Sequence, residues 1–352
     1  MTKLTRGVLA SGAPLLSVAM LLGSLEAADT PELKAPPTAA AIKIPLGLQP
    51  IPWPTDNPYS PAKWELGRAL YFDTRLSADN TVSCATCHHP KLAFTDRQPN
   101  SSGIRGQRGD RSAPTVINRA YSLAQFWDGR AGSLEDQAIG PMANPIEMGH
   151  THDAIVAFLK DSPGYKKMFA DAFGSEQITI ERAGMAIATF ERTVLSGNSA
   201  YDKYKAGNKS AMNAAQVRGM NVYFNKAKCD QCHEGINFTL NSYHNLGVGM
   251  DKPNPDEGRY KVTHKPEDWG AFKTPTLRDI ARTAPYMHDG SLKTLEEVVE
   301  YYDKGGIPNK NLDEKMVKLN LTAQEKSDLV AFLRALDGEG WQQLVAPKQF
   351  PK

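Results

Sequence analysis

Two short motifs carry the residue types that are most capable of chemistry in this sequence. Residues 84–88 read C-A-T-C-H and residues 229–233 read C-D-Q-C-H. The pattern C-x-x-C-H attaches c-type haem, because two thiols at this spacing reach the two vinyl groups of one porphyrin and the next histidine reaches its iron. We therefore expect two covalently bound haem c groups. The attaching thiols would be Cys84, Cys87, Cys229 and Cys232, and the iron ligands would be His88 and His233.

Other uses of paired cysteines fit the sequence less well. A four-cysteine zinc site usually has its two pairs about 15–20 residues apart, whereas these pairs lie in different halves of the chain. A thioredoxin-like dithiol needs a β-α-β context that the sequence lacks, and disulfides within C-x-x-C rarely come twice with the same following histidine. The chain has four cysteines, so two haems would use every thiol and no protein disulfide is expected.

The composition is that of an ordinary globular protein. The chain has 352 residues, of which 41% are hydrophobic and 23% charged, and a formal net charge of +2. This length predicts roughly two or three domains. The near-neutral charge, without a basic stripe, gives no reason to expect a nucleic acid partner. The oligomeric state is left open.

The first residues have the pattern of a secretory signal peptide. Lys3 and Arg6 precede an apolar run that ends in small residues. We expect residues 1–28 to be removed on export to the periplasm; an uncleaved membrane anchor is the alternative. No other stretch is long and apolar enough to span a bilayer. Residues 29–61 are rich in proline, which predicts an extended arm.

Helix signals dominate the rest of the chain. Apolar residues recur at helical spacing, and Thr294 and Thr322 are each followed three residues later by glutamate, as in a capping box. No run alternates in the way that predicts a β-strand. The fold class is therefore expected to be mostly α, with helices at residues 62–72, 179–195, 294–302 and 321–336.

A weak internal repeat suggests two similar domains. Residues 67–73 read G-R-A-L-Y-F-D and residues 219–225 read G-M-N-V-Y-F-N, and one cysteine motif follows each copy. The polar stretch at 196–213 is a natural boundary. We therefore predict two cytochrome c-like domains with one haem each, the first at residues 62–205 and the second at residues 206–352.

A series of motifs resembles one known family over about residues 64–336. The motifs, in order, are A-P-T-V-I-N at 113–118, F-W-D-G-R at 126–130, L-E-D-Q at 134–137, G-P at 140–141, E-M at 147–148, K-T-P-T-L-R at 273–278, T-A-P-Y-M-H-D-G at 283–290 and T-L-E-E at 294–297. This order resembles the bacterial di-haem cytochrome c peroxidases, a family that includes MauG.

The resemblance implies roles around the first haem. Glu147 would be the distal acid-base residue, with Gln137 and Pro141 lining its pocket. A carboxylate near iron can move a proton between the two oxygens of peroxide; without the family, Glu147 would be interpreted as a solvated loop residue. Trp127 would lie between the haems and pass oxidising equivalents, although a tryptophan of the hydrophobic core is an equal interpretation of the residue alone.

A calcium site between the domains is also implied by the resemblance. Thr283 and Pro285 match residues of that site in the family. The asparagine that the family has two residues before Pro114 is Ser112 here, which weakens the match. One bound Ca²⁺ is therefore a possible second kind of cofactor.

The sequence differs from the ordinary peroxidases at two positions that affect the ligands of the haem irons. No histidine occurs between His89 and His150, and the family's capping histidine matches about Ile104, so the first haem should have an open position. The family spacing places Tyr302, in the manner of MauG, where the peroxidases usually have a methionine ligand to the second iron. Helical spacing supports this position, because it puts four residues on one inward face: Leu295, Val298, Val299 and Tyr302. The rivals for that position are Met250, Met287 and His288.

The expected activity is that of a periplasmic di-haem peroxidase that acts on hydrogen peroxide. A tyrosine ligand favours oxidised iron, so we expect peroxide to leave two oxidising equivalents shared across Trp127 and both haems. The donor would be a cytochrome c, a cupredoxin or, as for MauG, aromatic residues of a partner protein. The alternatives are a non-catalytic di-haem electron carrier and a peroxide sensor or scavenger.

Three arginines in the loop 90–113 either contact a partner protein or belong to a solvated loop: Arg105, Arg108 and Arg111.

Overall fold

Residues 42–352, the part that the computed structural model describes, are mainly α-helical. The α-helices are α1 Pro61–Phe72, α2 Cys84–Cys87, α3 Leu134–Ala143, α4 His152–Asp161, α5 Pro163–Phe173, α6 Ile180–Glu191, α7 Ala200–Lys205, α8 Ala214–Asn221, α9 Tyr260–Thr263, α10 Leu295–Asp303 and α11 Ala323–Arg334. A π-helical turn, Val222–Lys226, continues α8. The expectation of a mostly helical fold is confirmed.

The helix starts follow from polar capping side chains. The Thr322 hydroxyl accepts a hydrogen bond from the Glu325 amide, and the Glu325 carboxylate accepts one from the Thr322 amide, which completes the expected capping box. At α10 the arrangement is different: the Glu297 amide donates to Thr294, but the Glu297 carboxylate accepts from Lys293 instead. Each helix therefore starts at the position that the sequence predicts.

A first hydrophobic core lies where α1 crosses α6. Leu66, Leu70 and Ile187 are fully buried there. Gly67 faces the Ala186 backbone so closely that a Cβ atom at this position would overlap it. Glycine is thus needed in the first copy of the repeat because the two helices touch.

A second core is built in the same way by α8 and α11. Gly219, the matching glycine of the second copy, faces the backbone of Asp328, and again there is no room for a Cβ atom. The buried residues of this core include Tyr223, Phe332 and Leu333. The repeat therefore corresponds to two equivalent helix crossings; the division into haem domains at 205 and 206 remains a prediction.

A short antiparallel strand pair was not predicted from the sequence, and neither were helices α3, α4 and α5. Strand β1, Tyr243–His244, pairs with β2, Phe272–Lys273. A strand of two residues is too short to show an alternating pattern, so no periodicity could indicate it.

The end of the proline-rich arm lies against the helices. Ile51 is buried with Ala120 and Leu195, whereas the predicted signal peptide at 1–28 lies outside the described residues. Within residues 42–352, no helix is both long enough and apolar enough to cross a membrane.

Candidate haem sites

The two cysteine motifs adopt matching local structures. In the first, the His88 amide donates to the Cys84 carbonyl over 3.0 Å, and in the second the His233 amide donates to the Cys229 carbonyl over 2.9 Å. One helical turn therefore separates each first cysteine from its histidine, and it places the two thiols of a motif on one side. All four thiols are free and half-buried.

Each motif histidine is held by a carbonyl of a following phenylalanine. His88 Nδ1 lies 3.3 Å from the Phe94 carbonyl oxygen, and His233 Nδ1 lies 3.1 Å from that of Phe238. A ring that donates from Nδ1 keeps Nε2 as its free lone pair, which is the arrangement of a metal-ligating histidine. Burial lowers the pKa of His88 and lowers that of His233 to about 4, so both rings are neutral.

A buried tyrosine forms a hydrogen bond with the backbone of each motif histidine. The Tyr71 hydroxyl donates to the His88 carbonyl over 3.0 Å, and the Tyr223 hydroxyl donates to the His233 carbonyl over 2.5 Å. Both tyrosines belong to the internal repeat. The two histidines are therefore positioned by the same pair of contacts, one on the backbone from the repeat and one on the ring from the phenylalanine that follows each motif.

A cavity of about 440 Å³ lies beside the second motif. Its wall includes the two thiols and His233 on one side and Leu295, Val298 and Val299 of α10 on the other. Two basic side chains, Arg119 and Lys273, also line it. An apolar space with two thiols, a neutral imidazole and two cations suits a porphyrin, which has an apolar ring and two carboxylates.

The buried lysine of this cavity needs a negative partner. Lys273 is 3% exposed, and its ammonium contacts the Thr274 carbonyl at 3.4 Å. It makes no ion pair with an acidic side chain in the described part of the chain. Burial and the charge of Arg119 lower its pKa well below the usual value. A cofactor carboxylate would supply the missing partner.

Tyr302 faces the same cavity from α10, as the helical spacing predicts. It lines the wall next to Val298 and Val299, while the Tyr301 hydroxyl donates to the Leu246 carbonyl over 2.8 Å. Burial beside the two thiols raises the pKa of the Tyr302 phenol. The structure thus places Tyr302, and not Tyr301, where a ligand to the second iron is predicted.

The rivals of Tyr302 lie in different places. Met287 and His288 line the cavity too, whereas Met250 is not part of its wall. The His288 ring stacks on Phe272 with centroids 3.7 Å apart, and burial lowers its pKa to about 4. His288 is therefore already packed against an aromatic face.

Glu147 lies close to the first motif. Its carboxylate accepts a hydrogen bond from the side-chain amide of Asn144 over 2.9 Å. Its backbone carbonyl accepts one from the backbone amide of Ile104 over 2.8 Å. Burial is the main reason why the pKa values of Cys84 and Cys87 are raised, and the negative charge of Glu147 adds to both shifts. The carboxylate is thus within electrostatic range of both thiols that would attach the first haem.

The environment of Glu147 favours its protonated form. Burial raises the pKa of the carboxyl group, while the charge of Arg130 and the hydrogen bond from Asn144 oppose the shift. Gln137 is half-buried on α3, which precedes Glu147. Ile104 is 3% exposed and packs in the first core. The structure therefore brings Ile104 and Glu147 together, whereas no hydrogen bond joins Glu147 to Gln137.

Trp127 lines the cavity of the second motif. Its indole donates to the Ser112 carbonyl over 2.9 Å, and its own carbonyl accepts from the Lys273 amide over 2.8 Å. These two bonds hold the indole at the wall beside the buried lysine. A position between two haems remains a prediction for this residue.

Thr283 and Pro285 line the same cavity. The Thr283 hydroxyl donates to the Ile280 carbonyl over 3.3 Å, and the bond before Pro285 is cis. In residues 42–352 no three histidine, cysteine or acidic side chains come together as a metal site. The calcium site remains a prediction.

Comparison with known proteins shows the family of this chain. The family profile described as di-haem cytochrome c peroxidase matches residues 61–210. The methylamine utilization protein MauG of Methylorubrum extorquens is 42% identical over 293 residues, which is 82% of this chain and 82% of the relative. The chain belongs to the di-haem cytochrome c peroxidase family. It is therefore an oxidoreductase of the class that acts on peroxide.

Other members of the di-haem peroxidase family are similarly close. The cytochrome c551 peroxidase of Nitrosomonas europaea is 41% identical over 279 residues, 78% of this chain and 80% of the relative. Among solved structures, a MauG-like protein associated with microbial copper homeostasis has a TM-score of 0.79 and 36% identity, and the match covers 86% of this chain and 97% of that one. The fold of this peroxidase is thus that of its family.

The three arginines of the loop 90–113 have different surroundings in this peroxidase. The Arg111 guanidinium binds the Asp256 carboxylate at 2.6 Å and 2.9 Å and that of Asp128 at 2.8 Å, so its charge is paired within the molecule and is not free for a partner contact. A sequence cannot show that two distant acids meet one arginine of a loop. Arg105 and Arg108 are exposed and stay candidates for such a contact.

Two basic residues of the cavity were missed by sequence reasoning. Lys273 is the first residue of the family motif at 273–278, and Arg119 directly follows the motif at 113–118. Neither residue was expected to contact a cofactor, because lysine and arginine are usually at the surface.

Proposed function

We propose that this protein is a periplasmic enzyme that reduces hydrogen peroxide at the first haem site with electrons from a redox protein. The observation that carries the proposal is the position of Glu147 beside the first motif. Asn144 and Ile104 hold Glu147 by hydrogen bonds, and the Ser102 carbonyl, two residues before Ile104, contacts the Cys87 thiol at 3.8 Å. A half-buried carboxyl group in that position can exchange protons with a bound peroxide.

Glu147 would move one proton between the two oxygens of peroxide. When bound, each haem supplies an iron that exchanges single electrons. Glu147 takes the proton from one oxygen and returns it to the other, which then leaves as water. In total, two electrons and two protons convert one hydrogen peroxide into two waters. The hydrogen bond from Asn144 holds the carboxylate oxygen in one orientation for both transfers.

The second site would carry the electrons. His233 and Tyr302 face the same cavity and would be the iron ligands there. A phenolate ligand favours the oxidised metal, which suits a site that withdraws electrons from a donor. The two cations Arg119 and Lys273 would pair with porphyrin carboxylates. Trp127, on the wall of this cavity, would relay electrons toward the first site.

The donor is a small redox protein or an aromatic side chain of a partner protein. The relatives named MauG and cytochrome c551 peroxidase are 42% and 41% identical, so identity does not separate a methylamine utilization protein from a peroxidase. The solved MauG-like structure is described as associated with copper homeostasis, which adds a copper protein such as a cupredoxin as a donor to test.

Steady-state peroxidase measurements test the proposal. The holoenzyme is mixed with hydrogen peroxide and with a reduced cytochrome c or a reduced cupredoxin, and oxidation of the donor is followed by absorbance. We expect two donor molecules to be oxidised per peroxide. If the holoenzyme consumes no peroxide while it exchanges electrons with the donor, it is a non-catalytic electron carrier and the proposal is wrong.

A further inference from the structure

Trp341 is a buried tryptophan close to the first haem motif. It is 4% exposed and belongs to the first hydrophobic core. Its ring meets the Phe94 ring edge to face, with centroids 6.2 Å apart. Two aromatic rings in this geometry are in direct contact.

Phe94 connects this indole to the predicted iron ligand. The Phe94 carbonyl is the group that accepts the hydrogen bond from His88 Nδ1 at 3.3 Å. Trp341, Phe94 and His88 thus form a continuous series of contacts. Electron transfer in proteins falls steeply with distance, so a series of contacts between a tryptophan and a metal ligand offers a path for an electron.

A carboxylate stands at the other side of the indole. Trp341 Nε1 donates to Asp279 Oδ1 over 3.3 Å, and Asp279 is fully buried. Burial raises the pKa of Asp279, which makes it a stronger base. The charged neighbours of Asp279 are Asp337 and Arg282, whose guanidinium lies 3.5 Å from Asp279 and 3.1 Å from Asp337. Two acids and one guanidinium face this side of the indole.

We propose that Trp341 is a redox-active residue that stores one oxidising equivalent from the first haem site, with Asp279 as its proton acceptor. The inference rests on the proposed peroxide reaction. One electron leaves the Trp341 indole through Phe94 and His88, and the Nε1 proton moves to Asp279 along the existing hydrogen bond. The second electron that peroxide needs comes from the side of the second haem. An external donor later returns the electron, and the proton goes back to Nε1.

The second half of the chain lacks the acid of this arrangement. Phe238 holds His233 as Phe94 holds His88. Its neighbouring rings are Tyr201, with centroids 5.2 Å apart, and Tyr223, at 6.2 Å, whose hydroxyl donates to the His233 carbonyl. Within residues 42–352 no carboxylate accepts a hydrogen bond from the Tyr201 hydroxyl. The aromatic contact is thus present in both halves, but of Trp341 and Tyr201 only Trp341 has a carboxylate as proton acceptor.

Peptide mass spectrometry can distinguish an internal oxidation of Trp341 from attack by free peroxide. The chain has five tryptophans, and Trp64 and Trp269 are more exposed than Trp341. The holoenzyme is treated with hydrogen peroxide without a donor, and oxidation of each indole is quantified. We expect Trp341 to be oxidised ahead of Trp64 and Trp269, against the order of exposure. Oxidation that follows exposure overturns the inference.

Variants separate the redox role from a structural one. Asp279→Asn keeps an acceptor oxygen but removes the charge, and we expect oxidation of Trp341 to fall about tenfold, since a hydrogen bond to a charged group is lost. Trp269→Phe serves as the control and should leave the oxidation of Trp341 unchanged. In a Trp127→Phe background, freeze-quench EPR should show a tryptophan radical that Trp341→Phe abolishes. Unchanged oxidation in Asp279→Asn or an unchanged radical in Trp341→Phe contradicts the proposal.

If the proposed peroxidase function is wrong, the holoenzyme consumes no peroxide, and the inference about Trp341 is then wrong as well. Peroxide consumption that persists while Trp341 stays unoxidised refutes the inference only.

Discussion

The side-chain amide of Asn144 donates a hydrogen bond to the carboxylate of Glu147 over 2.9 Å. The backbone of Glu147 is held as well, because the Ile104 amide donates to its carbonyl over 2.8 Å. A carboxylate fixed at both its side chain and its backbone has one orientation toward the first cysteine motif. This fixed carboxylate is the basis of the proposed peroxide chemistry.

Replacing Glu147 with glutamine should slow the reaction with peroxide. The variant keeps the shape of the side chain but cannot accept a proton, so we expect the second-order rate constant to fall by about a hundredfold or more. Stopped-flow absorbance after mixing with peroxide measures this rate. Glu176→Gln, at an exposed position, is the control. Equal rates in the wild type and Glu147→Gln would remove the catalytic role of Glu147.

Replacing Tyr302 with phenylalanine should change the second haem alone. The loss of the predicted phenolate ligand should alter the absorption and EPR signals of that iron and raise its reduction potential. Tyr301→Phe is the matched control, since it loses only a hydrogen bond to the Leu246 carbonyl. If the spectra of Tyr302→Phe equal those of the wild type, another residue is the ligand, and His288 and Met287 are the next to test.

The buried pair Arg278 and Asp202 should dominate the stability of the region around α7. The guanidinium makes two contacts with the carboxylate, at 2.8 Å and 3.0 Å, and both side chains are almost fully buried. Arg278→Met leaves Asp202 charged and unpaired, so we expect a loss of about 3–5 kcal/mol in the free energy of unfolding. Chemical denaturation measures it.

An exposed pair provides the comparison. Arg334 and Glu296 are joined at 3.3 Å and both are largely exposed, so Arg334→Met should change the stability by less than about 1 kcal/mol. Similar losses in the two methionine variants would mean that burial is not what makes the Arg278 pair important.

Glu191 should make the protein less stable as the pH rises. Burial raises its pKa to about 8, although the charges of Arg192 and Arg119 oppose the shift. A carboxyl whose pKa is higher in the folded state contributes stability below its unfolded pKa, and this contribution is lost as the pH rises through the folded pKa. The window therefore extends from about pH 4.5 to about pH 8.

Thermal unfolding across this window tests the assignment. The melting temperature of the wild type should fall relative to that of Glu191→Gln as the pH increases, because glutamine does not ionise. Glu176→Gln should follow the wild type. Parallel curves for Glu191→Gln and the wild type would show that Glu191 does not titrate in this range.

The sequence predicted four of the helices, α1, α6, α10 and α11, together with the two cysteine motifs, because their signals are local. The capping threonines, the helical stripe on α10 and the two cysteine motifs each need only a few neighbouring residues. The family spacing marked Tyr302, and helical periodicity agrees with its orientation toward the cavity. The family resemblance marked Glu147, which periodicity could not have found.

The remaining features depend on contacts between distant segments. Arg111 pairs with Asp256, Arg278 with Asp202, and Trp341 with Asp279. In each case the partners are far apart in the chain, so no spacing rule relates them. The two-residue strands are missed for the opposite reason, since they are too short to carry a pattern.

The EPR spectrum of the fully oxidised holoprotein tests the central claim, an open position at the first haem, most directly. No histidine lies between His89 and His150, and the buried Ile104 lies beside Glu147. We therefore predict one high-spin ferric signal from the first haem and one low-spin signal from the second. Two low-spin signals would show that both irons have two strong ligands, which contradicts a peroxide-binding site at the first haem.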